Sequence, residues 1–434
     1  MTAEVGILNR MGVALAADSA VTIGGQGMEK IYNSANKLFA LSKYHPVGIM
    51  IYGGATFMDI PWETIIKTFR EKLKAEKKST LKEYCDSLID FLKNDSRLTN
   101  EISEQILVHR IFSEVFTQLL SDIEERINTH LMRDDKPSES EVETWIKEVA
   151  LNYMRNLKKL DIINEFENTY QEFHNRYSQI IQNVVNEYME FEISDELLEI
   201  LTDMAFEFIS RSYFSNNSTG IVIAGYGEDE LFPSLYEYKI EGFIAGKLKI
   251  KENDVVRIGT VAQPGVQTAA IKPFAQKEMV ETFMYGMDPR LENNTFNTLK
   301  QILDVYPDII KEKILTDLSD ENVTAIKELG NELFEYFVET IEEHQIEKFV
   351  QPVIDIVRVL PKEELAAMAE SLVNLTSFKR KITIEKETVG GPIDVAVITK
   401  GDGFIWIKRK HYFKPELNYH FFKNYLRSDM NGNY

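Results

Sequence analysis

The chain has 434 residues, more than a single hydrophobic core usually organises, so two domains or one core with a large appendage are expected. Its 44% hydrophobic and 27% charged residues are those of a globular protein; no apolar run reaches the length that spans a bilayer, and the first residues lack the basic and apolar regions of a secretory signal. A formal charge of -20 argues against nucleic-acid binding, which needs a basic surface, and the one cysteine, Cys85, cannot form an internal disulfide, as suits a reducing cytoplasm.

Two textures alternate along the chain. The segments near 2–53, 219–260 and 381–410 are rich in Val, Ile, Gly and aromatic residues, in short runs such as Gly48-Ile49-Met50-Ile51-Tyr52 and Gly220-Ile221-Val222-Ile223-Ala224. They read as strands broken by glycine turns such as Gly401-Asp402-Gly403. Between them the pattern is helical. Trp62, Ile65, Ile66, Phe69 and Leu73 form one stripe, and Thr80-Leu81-Lys82-Glu83 reads as a capping box ahead of Tyr84, Cys85, Leu88 and Leu92. Cys85 thereby falls on an apolar face and reads as core. From about 100 to 214 the chain is helical and charged, with a break at Asp135-Lys136-Pro137-Ser138. A second helical block, about 273 to 378, is punctuated by Pro289, Pro307, Pro352 and Pro361.

Strands and helices segregated in blocks imply an α+β fold. The segmentation expected is a strand core over 2–94, a helical insertion over 95–217, central strands over 218–275, a second helical insertion over 276–375 and a final hairpin with tail over 376–434. The seven histidines are scattered and none pairs at zinc-ligand spacing, so neither a metal nor a cofactor is expected.

The chemistry-bearing stretch is the first 37 residues. Thr2 stands directly behind Met1, in Met1-Thr2-Ala3-Glu4-Val5-Gly6-Ile7. Asp18 follows a small apolar run, in Ala14-Leu15-Ala16-Ala17-Asp18-Ser19, and Lys37 precedes Leu38-Phe39. With the Met1–Thr2 bond cut, Thr2 would carry a hydroxyl and a free α-amine, a nucleophile with its own base.

Three blocks, taken in order, resemble the catalytic β subunits of the proteasome, within the N-terminal-nucleophile (Ntn) hydrolases. They are Thr2 to Gly54, Ile221 to Tyr226, and Gly390 to Gly403, about a third of the chain. The resemblance implies an αββα sandwich of two antiparallel sheets, here carrying two long helical insertions. It implies hydrolysis of a peptide or protein amide bond. Thr2 would be the nucleophile, Lys37 would stabilise charge on its hydroxyl oxygen, and Asp18 would hold Lys37. Gly53 matches the glycine whose N–H lines the oxyanion hole. Val21, Ala35, Ile51 and Ala55 would line the pocket for the residue before the cut bond, and the backbone of Thr22 would hold substrate as an added strand. None of these carries charge, which favours Leu, Phe or Tyr there. Homo-oligomerisation is implied, whereas the sequence names no ATPase partner.

The chain departs from the pattern in two loops that carry supporting residues in active proteasome subunits. Gly259-Thr260-Val261-Ala262-Gln263-Pro264-Gly265 holds no serine. In Glu385-Lys386-Glu387-Thr388-Val389-Gly390-Gly391, Val389 stands at the serine position and Lys386 near the aspartate position. Glu385, Glu387, Thr388 and Gln263 are the candidate substitutes. Two rival readings fit the same residues: an amidase of this fold acting on a small molecule, and an inactive scaffold whose helical insertions bind a partner.

Overall fold

The structure is a computed structural model that describes residues 2–23, 30–132, 137–261, 264–383 and 389–427. In chain order it begins with strands β1 (Ala3–Asn9), β2 (Gly12–Ala17), β3 (Val21–Ile23), β4 (Lys30–Tyr32), β5 (Leu38–Ala40), β6 (Val47–Gly53), β7 (Thr56–Phe57) and β8 (Ile60–Pro61). Helices α1 (Trp62–Leu73), α2 (Leu81–Asn94), α3 (Glu101–Met132), α4 (Glu139–Leu157), α5 (Tyr170–Tyr188) and α6 (Asp195–Ser210) follow. Next come β9 (Thr219–Gly225), β10 (Ser234–Ile244), β11 (Lys247–Arg257) and β12 (Ala269–Ala275). The chain closes with α7 (Glu278–Tyr285), α8 (Pro289–Lys313), α9 (Asp320–Gln345), α10 (Gln351–Val357), α11 (Lys362–Ile382), β13 (Asp394–Thr399), β14 (Gly403–Lys408) and α12 (Tyr419–Arg427). The fold is α+β with antiparallel sheets. It forms two compact units, one of Met1–Leu38, Leu231–Pro233 and Arg257–Tyr434, the other of Phe39–Glu230 and Ser234–Val256.

The first unit is built on a five-stranded sheet of order β12-β1-β2-β13-β14. Strand alternation sorts its side chains. Ala3, Val5 and Ile7 of β1, Ala14 and Ala16 of β2, and Val395 and Val397 of β13 enter one apolar cluster with Leu365, Ala369 and Val373 of α11. The small side chains of β1 and β2 let α11 lie close on that face. The alternate residues Glu4, Leu8, Val13 and Leu15 are buried as well, so no polar-out pattern survives in these strands. Val389 is fully buried in the same cluster as α11.

The second unit holds a sheet of order β11-β10-β9-β6-β5. Helices α1 and α2 cover one face, with Trp62, Ile66, Phe69, Tyr84 and Leu88 against Ile49, Ile221 and Ile223. Cys85 is fully buried there, as expected, and burial pushes its thiol far up. Helices α3 to α6 form a bundle with its own core, which reaches the sheet through Ile244 and Ala245 at the end of β10.

Two local expectations need correction. Thr80 caps α2, its hydroxyl accepting from Glu83 N at 3.3 Å, but the Glu83 carboxylate accepts from Ser79 N at 3.0 Å instead of returning to Thr80. The reciprocal box stands at Ser138 and Glu141, at the start of α4. Pro307 does not break its helix: α8 runs through it, and the ring is buried. One lost hydrogen bond is offset there by apolar burial.

In the second unit Gly220 of β9 pairs with Tyr52 of β6, and a Cβ at 220 would stand 1.9 Å from the Tyr52 ring. That ring is held by its hydroxyl, which donates to Glu237, and by Lys239 Nζ, 4.7 Å from its centroid. Gly220→Ala should therefore cost about 1–3 kcal/mol in overpacking. A urea-unfolding midpoint equal to that of the unmodified protein would contradict this packing.

Candidate active site

All three residues expected at the reacting centre lie in the first unit, and the fold brings them together. Thr2 enters β1 with its carbonyl accepting from Gln276 N at 3.0 Å, just past the end of β12. Gln276 is itself held by Arg380 of α11, whose Nε donates to Gln276 Oε1 at 2.8 Å. Asp18 follows β2, the strand beside β1. Lys37 precedes β5. Lys37 Nζ donates to Thr2 Oγ1 at 2.8 Å and to Asp18 Oδ1 at 2.6 Å. The ammonium side chain is 8% exposed and the carboxylate 0%, so the ion pair is out of water.

Asp18 does more than face the lysine. Its Oδ1 also accepts from Ala3 N at 3.2 Å, and its Oδ2 accepts from Ala20 N at 3.2 Å and Gly390 N at 3.0 Å. Four donors thus satisfy a carboxylate that burial would otherwise penalise heavily. The neighbouring backbone repeats the ties. Asp18 N donates to Ala3 O, Ser19 N to Gly390 O at 3.1 Å, and Ala35 N to Ser19 O at 3.0 Å. The Ser19 hydroxyl donates to Pro392 O. Gly391 has φ +78°, and a Cβ there would lie 2.7 Å from Asn33 Cβ, so a glycine is needed at 391 where this loop crosses the 30s segment.

Glu4 is the site's unexpected member. It lies two residues beyond Thr2 on the same face of β1 and pairs with Ala17, next to Asp18. It is 1% exposed, and neither carboxylate oxygen has a hydrogen-bond partner among the described residues. Burial drives its pKa well above the usual carboxylate range; the Lys37 charge opposes that rise and Asp18 adds to it. The proton therefore stays on Glu4 well past the pH at which a surface glutamate loses it. Its mark in the sequence is a single charge inside Ala3-Glu4-Val5-Gly6-Ile7.

The expected pocket residues divide between the units. Val21 and Thr22 pair with Tyr32 and Ile31 in the β3–β4 ribbon, both half-buried, and Ala35 is half-buried after β4. The Thr22 hydroxyl is buried without a hydrogen-bond partner among the described residues. Ile51, Gly53 and Ala55 belong to the second unit. Ile51 is buried in its core; Gly53 is exposed with φ +78°, and a Cβ there would meet Ser218 O at 2.4 Å. Ala55 is exposed, with its carbonyl accepting from Trp62 N at 3.2 Å. Val389, at the serine position of the resemblance, is core and faces α11, so it takes no part in the cluster. Gln263, Glu385, Lys386, Glu387 and Thr388 lie outside the described residues.

A buried charge elsewhere is structural. Lys249 of β11 is fully buried and pushed down to about 8 by desolvation; its Nζ donates to Phe208 O at 2.9 Å and ties the bundle to the sheet. A cavity of about 490 Å³ in the second unit, lined by Val115, Leu157, Phe208 and Tyr213 among others, joins no nucleophile to a base. Among the described residues no cluster of His, Cys, Asp and Glu could hold a metal ion, and no helix is long and apolar enough to cross a membrane. The chain matches no protein-family model and no curated protein.

Glu4 gives a stability test with a defined sign. An unfolded glutamate ionises near pH ~4.3. Above that pH the folded state holds the proton that the unfolded state has lost, so stability falls as pH rises toward the folded pKa, by up to about 1.4 kcal/mol per unit. Glu4→Gln removes this loss. The variant should be more stable than the unmodified protein at pH 7, with the gain vanishing near pH 4. Thermal melts showing no pH-dependent gap between the two would contradict a buried, proton-holding Glu4.

Proposed function

We propose that the chain is a threonine hydrolase of the proteasome-like Ntn class, of αββα architecture, which cleaves amide bonds in peptides or proteins with Thr2 as nucleophile. The observation that carries this reading is the Lys37 ammonium, buried and donating to both Thr2 Oγ1 and Asp18 Oδ1. A solvated lysine in a loop has no reason to be fixed between a threonine hydroxyl and a carboxylate. Two helix-backed antiparallel sheets accord with the architecture.

The chemistry needs the Met1–Thr2 bond cut. The freed α-amine has an ordinary pKa near ~8, close to operating pH, and takes the hydroxyl proton as Oγ1 attacks the carbonyl carbon. Lys37 donates to the same oxygen and holds down the energy of its developing negative charge. The tetrahedral intermediate expels the amine half of the substrate, which receives the proton from the α-amine. The acyl group left on Oγ1 as an ester is then attacked by water, the α-amine again accepting the proton; the acyl–Oγ1 bond breaks, the acid leaves, and the α-amine returns the proton to Oγ1. Asp18 keeps the ammonium oriented and charge-balanced, since a buried lysine without a carboxylate favours its neutral form.

Removing the Lys37 donor should cost at least about 10²–10³ in kcat, the usual loss of a charge-stabilising donor. Lys37→Ala, assayed with fluorogenic peptides bearing Leu, Phe or Tyr before the cut bond, should lose that activity while its melting transition persists. Intact-mass measurement of the active protein should find Thr2 as the first residue. Full activity in Lys37→Ala, or activity from protein that quantitatively retains Met1, would remove the reading.

A further inference from the structure

The antiparallel hairpin of α8 and α9 presents a surface that the reaction does not use. Its seam is marked by Leu303 and Gly330, where a Cβ at 330 would stand 3.6 Å from Leu303 Cβ, and by Phe296, whose ring meets Phe334 at 6.4 Å and Phe337 at 6.0 Å. A second apolar stripe runs beside the seam on each helix. On α8 it is Ile302, Val305, Tyr306 and Ile309, between 40% and 56% exposed. On α9 it is Leu329, Leu333 and Tyr336, between 54% and 68% exposed. At about 100° per residue, Ile302 and Leu329 are offset by the same angle in the same sense from their seam partners Leu303 and Gly330. In an antiparallel pair, equal offsets place both stripes on one side of the hairpin. The seven side chains expose on the order of 700 Å², about one partner's share of a standard interface.

The charges around this face are sorted. Lys300, Lys311 and Lys327 fall on the opposite face, where Lys327 pairs with Asp308 at 2.7 Å and Lys311 with Asp320; Lys313, the exposed last residue of α8, stands at the end of the stripe, away from the α9 glutamates. Glu328, Glu332, Glu335 and Glu339 follow one another at helical spacing along the outer edge of the α9 stripe. All four are exposed and none makes an ion pair among the described residues. Like charges at i,i+3 and i,i+4 repel, so this row weakens the isolated helix. A second copy of the chain would not relieve it. The outer edge of α8 beside its own stripe carries Asn294, Gln301 and Glu312, and the outer edge of α9 carries the same glutamates. Either twofold packing of two such faces would set acid against acid or against uncharged polar groups.

We propose that this face of the α8–α9 hairpin docks an amphipathic helix of a partner protein, with a Leu-, Ile- or aromatic-rich stripe flanked on one side by Lys or Arg. The apolar stripe supplies the burial and the glutamate row selects the charge and the orientation. This surface is independent of Thr2 and its chemistry.

The test uses two synthetic helical peptides of about 18 residues, five helical turns. They share one leucine stripe and differ only in a flank of lysines or of glutamates. Fluorescence anisotropy with the full chain should show the lysine peptide binding at least tenfold more tightly than the glutamate peptide. Replacing the four glutamates together, E328K/E332K/E335K/E339K, should reverse the preference. Leu333→Asp should abolish binding of both peptides, although it makes the face more acidic; circular dichroism melts confirm that each variant is folded. Tighter lysine-peptide binding by Leu333→Asp would mean charge attraction alone and would overturn the proposal. So would equal affinity for the two peptides, or sedimentation showing self-association of the unmodified chain that Leu333→Asp dissolves, since a second copy would then hold the face.

Discussion

The Asp18 carboxylate is the point on which the first unit turns. It takes hydrogen bonds from Ala3 N, Ala20 N, Gly390 N and Lys37 Nζ, which belong to four stretches of chain. It therefore fixes the start of β1, the turn after β2, the approach to β13 and the lysine that holds Thr2. An amide in its place would keep the shape but lose the charge that makes a buried ammonium tolerable. The energetic asymmetry of such a pair explains the number of donors: a buried charge with partial satisfaction is worse than none, whereas a fully satisfied one is rigid. Rigidity would serve the proposed reaction, because a nucleophile displaced by about 1 Å loses much of the benefit of being held.

Glu4 shows the opposite arrangement a few ångströms along the same strand. It has burial without partners, and the molecule tolerates it by keeping the proton on. With Glu4 neutral, the buried set of Lys37, Asp18 and Glu4 sums to zero charge. With Glu4 ionised it would carry one net negative charge beside Thr2 Oγ1, the oxygen that becomes negative in the proposed reaction. The reading of Thr2 as nucleophile thus gives this strand position a consequence: a neutral acid next to the site leaves the Lys37 field undiminished. Active sites are where proteins accept such local costs.

What the sequence disclosed follows from how each feature is encoded. The helical stripe of Trp62, Ile65, Ile66, Phe69 and Leu73 repeats over three turns, so it was legible, and all five are buried. The strands were legible by β-branched runs, but which of their faces met helices was not, because β1 is buried along its whole length and shows no alternation. Thr2, Asp18 and Lys37 could be named from a resemblance and found together because they stand in one continuous 37-residue stretch. The contacts of Gly390 with Asp18 and of Gln276 with Thr2 could not, since both come from far along the chain and a backbone N–H leaves no mark on the sequence. Glu4 is a lone charge in an apolar strand, a signal that hydrophobic pattern, which averages over neighbouring residues, does not resolve. Pro307 and the Thr80 box failed for the reason that local rules often fail: tertiary burial and a neighbouring donor, Ser79 N, outcompeted them.

In the proposed mechanism Thr2 reacts through a hydroxyl and a free α-amine on one residue. A peptide epoxyketone tests both groups at once, because the hydroxyl adds to its ketone and the amine then opens its epoxide, closing a ring on a single residue. Incubation of the protein with such a compound, followed by proteolysis and mass spectrometry, should place one intact inhibitor on a peptide that begins at Thr2, and the Lys37→Ala variant should react far more slowly. An unmodified N-terminal peptide after prolonged incubation of folded protein, or an adduct on any other residue, would contradict the account.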